Sequence, residues 1–124
     1  MTMLSADELR RLARPPRETP AGCPCARLVC PGWESVSSPP GAPLLAHVGT
    51  LRAPGDDEPT VEEWHPGGTR LWSPAAPIAT AYYPFNRSEV WRCVHCGRGF
   101  LQYTEFGGYY VDHRVREIDP ALVV

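Results

Sequence analysis

The last third of the chain carries the clearest alternation of apolar and polar positions. Two sets of side chains alternate between residues 109 and 116: Tyr109, Val111, His113 and Val115 in one set, and Tyr110, Asp112, Arg114 and Arg116 in the other. Successive side chains of a strand point to opposite faces, so the pattern predicts a strand with one apolar face and one polar face. With segments 89–94 and 99–106 it predicts a three-stranded antiparallel meander, whose second turn is Gly107-Gly108.

A helical pattern is confined to residues 4–14. Ser5 has the position of an N-cap, and Glu8 follows three residues later, which is the spacing of a capping box. Two prolines after residue 14 end the helix. The helix has an apolar stripe that consists of Leu9, Leu12 and Ala13. This stripe predicts that the helix docks through one side.

The segment that follows the helix, residues 15–43, has no periodic pattern. Of the 15 prolines in the chain, 14 precede residue 85, which leaves only the last third regular. We interpret residues 15–43 as a Pro-rich irregular arm, which is ordered only where something ties it down. The expected division is an N-terminal helix and arm, 1–43, and a β-rich domain, 44–124, which we expect to form one folded unit.

Weaker strand signals lie between the arm and the meander. Residues 44–52 read as a strand, and segments 60–64 and 69–72 flank a Gly-containing turn, which predicts a hairpin. Segment 78–83 is a further candidate strand. The predicted fold class is therefore mainly β: a small domain with a C-terminal three-stranded antiparallel meander, one short N-terminal helix and a Pro-rich irregular arm.

The charge of the chain restricts its partners. All 12 basic residues are arginine and the formal net charge is −2, which argues against a strongly electrostatic binder of nucleic acid or membranes. The N-terminal residues do not read as a signal peptide, and no segment reads as a membrane span. We therefore expect a cytoplasmic location with no membrane partner, where the five cysteines are reduced or metal-bound.

The spacing Cys93-x-x-Cys96-Gly97 is the strongest chemical signal in the sequence. Two thiolates two residues apart can bind one metal ion, and the glycine allows the positive φ at which the loop turns back toward the next strand. Because a strand-like segment precedes and follows this turn, the pattern predicts a zinc knuckle. Zinc is the expected cofactor, although iron also suits a thiolate-rich site.

The other two ligands are left open by the sequence. A structural zinc takes four ligands, so two of Cys23, Cys25 and Cys30 would complete a four-cysteine site and tie the arm to the meander. The alternative is three cysteines with one histidine. Here His113 ranks first because it lies on the third meander strand, and the other candidates are His65 and His47.

Cys93-x-x-Cys96-Gly97, followed by the aromatic Phe100, resembles the knuckles of zinc-ribbon and rubredoxin-like domains. The resemblance covers about 15 residues and implies that Cys93 and Cys96 are metal ligands. A full zinc ribbon has a second Cys-x-x-Cys knuckle, whereas Cys23-Pro24-Cys25 is one residue shorter. The run 103–110 also resembles short bacterial proteins, a likeness that implies no activity.

Aromatic residues and arginines are dense in the meander. We predict a binding surface on one face of it, formed by Arg92, Arg98, Arg114, Tyr103 and Tyr110. Such a surface suits an acidic protein partner or single-stranded nucleic acid.

No catalytic constellation stands out, since Glu62 and Glu63 would point to opposite faces of a strand. The favoured hypothesis is a non-catalytic zinc protein that acts as a protein-interaction or scaffold module. The alternatives are a single-stranded nucleic-acid-binding protein, and a thiol redox or zinc enzyme.

Overall fold

The computed structural model describes residues 2–13, 22–28 and 30–124. One helix, α1, spans Ala6–Leu12, and three short 3₁₀ helices span Pro24–Leu28, Phe85–Arg87 and Pro120–Leu122. The strands are β1, Glu34–Val36; β2, Leu45–Thr50; β3, Glu89–Cys93; β4, Gly99–Phe106; and β5, Val111–Glu117. Within the described ranges, no helix is long and apolar enough to cross a membrane.

The five strands form one antiparallel sheet in the order β1-β5-β4-β3-β2. The mainly β fold and the predicted meander are confirmed, because β3, β4 and β5 are consecutive neighbours in this order. The strand predicted at 44–52 corresponds to β2. A register shift lies between His47 and Gly49, where β2 pairs with β3.

Helix α1 begins as the sequence predicts. The Ser5 hydroxyl accepts a hydrogen bond from the Glu8 backbone N–H, and the Glu8 carboxylate accepts one from the Ser5 N–H. This capping box satisfies two backbone donors that a helix start leaves free. Leu9 is fully buried, so the helix docks through its apolar stripe. The predicted helix end at residue 14 lies outside the described residues.

Three parts of the sequence prediction are corrected. The hairpin at 60–64 and 69–72 does not form, since both segments lack strand structure; one turn runs from His65 to Gly68 and another from Arg70 to Ser73. Segment 78–83 makes a single bridge, in which Ile78 pairs with Val123. Conversely, β1 lies within the arm predicted to be irregular, and it pairs with β5. Three residues are too short for a periodic signal to stand out.

Both faces of the sheet are covered, by different parts of the chain. On one face, here called the helix face, Val90, Leu101 and Tyr103 belong to a core cluster that also contains Leu9 of α1 and Ile118. On the opposite face, here called the cysteine face, a second cluster consists of Cys25, Leu28, Cys30, Leu45, Cys93, Phe100 and Val115. The cysteines are therefore part of a hydrophobic core.

The two clusters allow the helix face to be tested by itself. Replacing Leu9 with Ala removes a fully buried side chain and should lower the free energy of unfolding by about 2–5 kcal/mol. The metal content per chain should not change, because Leu9 lies on the far side of the sheet from the cysteines. Chemical denaturation measures the free energy of unfolding and elemental analysis measures the metal content. Arg11→Ala, at an exposed position of the same helix, is the control. A stability equal to that of the parent protein would contradict the assignment of Leu9 to the core.

Candidate metal centre

Four cysteine sulfurs converge at the edge of the cysteine face. The Sγ atoms of Cys23, Cys25, Cys93 and Cys96 all lie within 4.8 Å of one another. Two come from the segment before β1, one from the last residue of β3 and one from the turn that follows it, so the cluster joins residues about 70 positions apart. Within the described residues this is the one group of three or more Cys, His, Asp or Glu side chains close enough to hold a metal ion.

The distances between the sulfurs fit a metal ion with tetrahedral coordination. Cys23 Sγ lies 3.6 Å from the sulfurs of Cys93 and of Cys25, and Cys25 Sγ lies 3.5 Å from that of Cys96. Four ligands at a zinc–sulfur distance of 2.3 Å define a tetrahedron whose edges are about 3.8 Å. A disulfide would need sulfurs about 2.05 Å apart. The arrangement is therefore consistent with a zinc-knuckle-like site.

The turn that carries Cys93 and Cys96 has the geometry that the sequence predicts. The Gly97 N–H donates to the Cys93 carbonyl over 3.0 Å, and the Cys93 N–H donates to the Arg98 carbonyl over 2.9 Å. Gly97 has a φ of 80°, in the left-handed region that favours glycine. The His95 backbone N–H lies 3.4 Å from Cys93 Sγ and points a donor at the sulfur.

Cys23 and Cys25 are held by a different local structure. Cys25 lies in the 3₁₀ helix Pro24–Leu28, and the Ala26 N–H donates to the Cys23 carbonyl over 2.9 Å. A Cys-x-Cys spacing does not match a second knuckle, yet the tight 3₁₀ turn brings the two sulfurs to the same point. The proline between them fixes its own φ near the value that a 3₁₀ helix requires.

Burial and hydrogen-bond donors act differently on two of the clustered thiols. Burial raises the pKa of Cys25, and the neighbouring sulfurs of Cys96 and Cys23 raise it further. For Cys93 burial also acts to raise the pKa, but the backbone N–H groups of Cys96 and His95, together with the thiols of Cys23 and Cys25, outweigh it and lower the pKa to about 7. These donors therefore stabilise the thiolate form of Cys93, and a bound cation would favour thiolates at every ligand.

The fifth cysteine does not join the cluster. Cys30 is buried on the same face, where its thiol lies 2.9 Å from the Leu28 carbonyl and 3.5 Å from that of Val115. Of the three arm cysteines that the sequence left open, the structure therefore groups Cys23 and Cys25 with the knuckle. Cys30 is a buried core residue whose S–H group is satisfied by carbonyls.

The histidines lie outside the cluster as well. His113, the first alternative ligand, has its Nδ1 3.0 Å from the Thr104 hydroxyl on the neighbouring strand. His47 Nε2 lies 2.8 Å from a Glu89 oxygen, and His65 lies between Glu63 and Thr69. The alternative of three cysteines and one histidine is therefore not supported by the geometry.

The predicted aromatic and arginine surface is wrong for three of its five residues. Arg98, Arg114 and Tyr103 are buried, with 8%, 9% and 6% of their surface exposed. Arg98 Nε lies 2.8 Å from Glu117 Oε2, while Arg114 bonds the hydroxyl of Tyr103 on the helix face. These two arginines can be buried because groups inside the protein, a carboxylate for Arg98 and a hydroxyl for Arg114, interact with their guanidinium groups. Only Arg92 and Tyr110 of the predicted set are exposed.

Comparisons with models of protein families, with curated proteins and with solved structures gave no match to this chain. The assignment of the metal centre therefore rests on the convergence and spacing of the four sulfurs.

The geometry divides the cysteines into four candidate ligands and one core residue, and substitution distinguishes them. Replacing Cys25 or Cys93 with Ser should abolish stoichiometric metal binding and unfold the cysteine face, because metal binding contributes on the order of 10 kcal/mol in small zinc domains. Replacing Cys30 with Ala should leave the metal content unchanged and cost about 1 kcal/mol. Elemental analysis and thermal unfolding measure both effects. Loss of metal from the Cys30 variant would contradict the ligand set.

The buried ion pair beside the knuckle makes a second prediction. Replacing Arg98 with Met leaves the Glu117 carboxylate buried without its counter-charge, so stability should fall by about 3–5 kcal/mol. Replacing both residues with Met should recover much of the loss, because no charge is then left uncompensated. A double-mutant cycle by urea denaturation measures the coupling. If the single and double variants were equally unstable, the pair would not be coupled.

Proposed function

We propose that the chain is a zinc-binding, non-catalytic protein that acts as a protein-interaction or scaffold module. The observation that carries the proposal is the set of four cysteine sulfurs within 4.8 Å of one another. Soft thiolate ligands in a tetrahedral arrangement suit zinc, and the distances near 3.6 Å suit its ionic size. The chemistry that zinc supplies here is to hold four thiolates together.

The donor set supports a structural role. A structural zinc site is filled by four protein ligands, whereas a catalytic zinc keeps one position for water or substrate. Cys23, Cys25, Cys93 and Cys96 together would use all four positions. Their sulfurs lie at the border of an apolar cluster, which protects thiolates from solvent and oxidants. Ligands of this kind also suit a compartment that keeps thiols reduced, such as the cytoplasm.

The alternative of single-stranded nucleic-acid binding receives less support. Such proteins combine exposed aromatic side chains with a positively charged groove that follows the phosphates. Arg98, Arg114 and Arg116 are buried and engaged inside the protein. Arg92 is therefore the one arginine of β3, β4, β5 and their turns that is exposed, and a single cation does not form a groove that follows phosphates, so a protein partner is the better match.

The identity of the metal and its coordination are tested on purified full chain. We expect about one zinc per chain by elemental analysis, with the four clustered thiols protected until the protein is denatured in chelator and Cys30 protected by burial until the protein unfolds. The protection should be lost on acidification, because protons compete with the metal for thiolates. Iron in place of zinc, or five freely reactive thiols, would overturn the zinc proposal.

A cobalt-substituted sample tests whether the site is closed. Cobalt(II) bound by four thiolates should show tetrahedral d–d absorption in the visible range together with sulfur-to-metal charge transfer. Adding azide, a ligand for open metal positions, should leave the spectrum unchanged. A spectral change with azide would reveal an open position and would favour a zinc enzyme over a structural site.

A further inference from the structure

The four clustered sulfurs form two pairs, and each pair joins the two segments of the metal centre. Cys23 Sγ lies 3.6 Å from Cys93 Sγ, and Cys25 Sγ lies 3.5 Å from Cys96 Sγ. Each sulfur belongs to one of these pairs, so both pairs can be bonded at the same time. A disulfide needs sulfurs about 2.05 Å apart, so each pair would have to close by about 1.5 Å. Rotation of two cysteine side chains about their Cα–Cβ bonds covers such a distance.

Pairing within each segment is the less favourable alternative. Cys23 and Cys25 also have sulfurs 3.6 Å apart, but they flank Pro24, the first residue of a 3₁₀ helix. A disulfide between them would close a very short ring around a residue whose φ is fixed, and departures from disulfide geometry store strain. The two pairs that cross between the segments close long stretches of chain instead, so they constrain no single turn.

Each crossing pair has one sulfur that solvent can approach and one that it cannot. Cys23 and Cys96 are partly exposed, whereas Cys25 and Cys93 are buried. The apolar cluster of the cysteine face therefore shields one member of each pair, while a small oxidant can reach the other. A disulfide formed by such a pair would lie against the core.

We propose that the metal centre is also a redox site, at which a peroxide converts the four thiolates into two disulfides, Cys23–Cys93 and Cys25–Cys96, with loss of the metal ion. The arm then stays tied to the knuckle in both states: by the metal ion when the thiols are reduced, and by disulfides when they are oxidised. The inference deepens the proposed function and rests on it for the metal, whereas the pairing rests on the distances between the sulfurs.

Two molecules of hydrogen peroxide balance the reaction. One peroxide oxygen bonds to the Cys23 sulfur while the O–O bond breaks and hydroxide leaves, which gives a sulfenic acid. The Cys93 thiolate attacks this sulfur, so an S–S bond forms, the S–O bond breaks and a second hydroxide leaves. Two electrons thus pass from the pair to one peroxide. Cys96 and Cys25 consume the second peroxide in the same way, and the ion leaves as Zn²⁺ with its charge unchanged.

The fifth cysteine should stay out of the reaction. Cys30 is buried, and its thiol lies 2.9 Å from the Leu28 carbonyl. Burial raises the pKa of Cys30 to about 11, which keeps the thiol protonated and poorly nucleophilic at neutral pH. One free thiol should therefore remain after oxidation, and it should react only once the protein is denatured.

The pairing is tested on the purified full chain, with Cys30→Ala as the matched variant. The zinc content is measured first, so a failure of the zinc proposal is seen before any oxidant is added. Two equivalents of hydrogen peroxide follow, zinc release is recorded with a coloured chelator, and the remaining thiols are alkylated. Cleavage after arginine then yields segments 18–27 and 93–98, which contain the four cysteines, and fragmentation in a mass spectrometer determines how they are joined.

We expect the two segments to be joined by disulfides from Cys23 to Cys93 and from Cys25 to Cys96, in the parent and in Cys30→Ala alike. About one zinc per chain should be released as the four clustered thiols disappear. Because the disulfides close loops of about 70 residues, the oxidised protein should melt about 10 °C or more above the reduced protein stripped of metal. The same disulfides in a chain purified without zinc would contradict the zinc proposal and support the pairing.

Several results would overturn the inference. Disulfides within either segment, the opposite crossing, or a bridge to Cys30 would show that the distances between the sulfurs do not select the partners. Sulfinic or sulfonic products, or disulfides between two chains, would show that the crossing pairs do not close. Folded protein that resists an excess of peroxide would show that the sulfurs are closed to oxidants. Oxidised protein that melts no higher than the reduced, metal-free protein would show that the disulfides do not tie the arm.

Discussion

The convergence of four cysteine thiolates on one point is the constraint on which the cysteine face depends. This five-stranded sheet has apolar side chains on both faces, and those of the helix face are covered by ordinary apolar side chains. The cysteine face has fewer of these, and its cover is a short 3₁₀ helix in a proline-rich segment. Such a cover contributes little burial of its own, so a metal ion held by its sulfurs and those of the knuckle would make up for the missing apolar area.

The pairing of buried polar groups explains where the arginines lie. A chain without lysine has to meet its inner carboxylates with guanidinium groups, and these suit paired, buried positions. Arg98 meets Glu117 at the knuckle, and Arg116 donates to the Ala76 carbonyl over 2.7 Å on the helix face. Burial lowers the pKa of Arg116 to about 10. Three of the four arginines of the meander are therefore buried and part of its architecture, and only Arg92 stays on its surface.

Sequence reasoning recovered those features that local chemistry specifies. The capping box of Ser5 and Glu8, the meander and the knuckle each depend on residues a few positions apart, so their signals are complete in the sequence. The remaining ligands depend on contacts across about 70 positions, and spacing does not separate Cys23 and Cys25 from Cys30. Exposure was the weakest prediction, because alternation identifies two faces of a strand and does not say that both are covered.

Two covered faces leave few places where the meander can contact another molecule. Its central part lies between the two clusters, and the four clustered sulfurs lie at one end. At the opposite end, around the turn between β4 and β5, Phe106 and Tyr109 are exposed. A metal ion held by the four sulfurs would brace only the first of these ends. The order of the strands at the second end depends on the β4–β5 ladder, whose last pair is Phe106 and Val111.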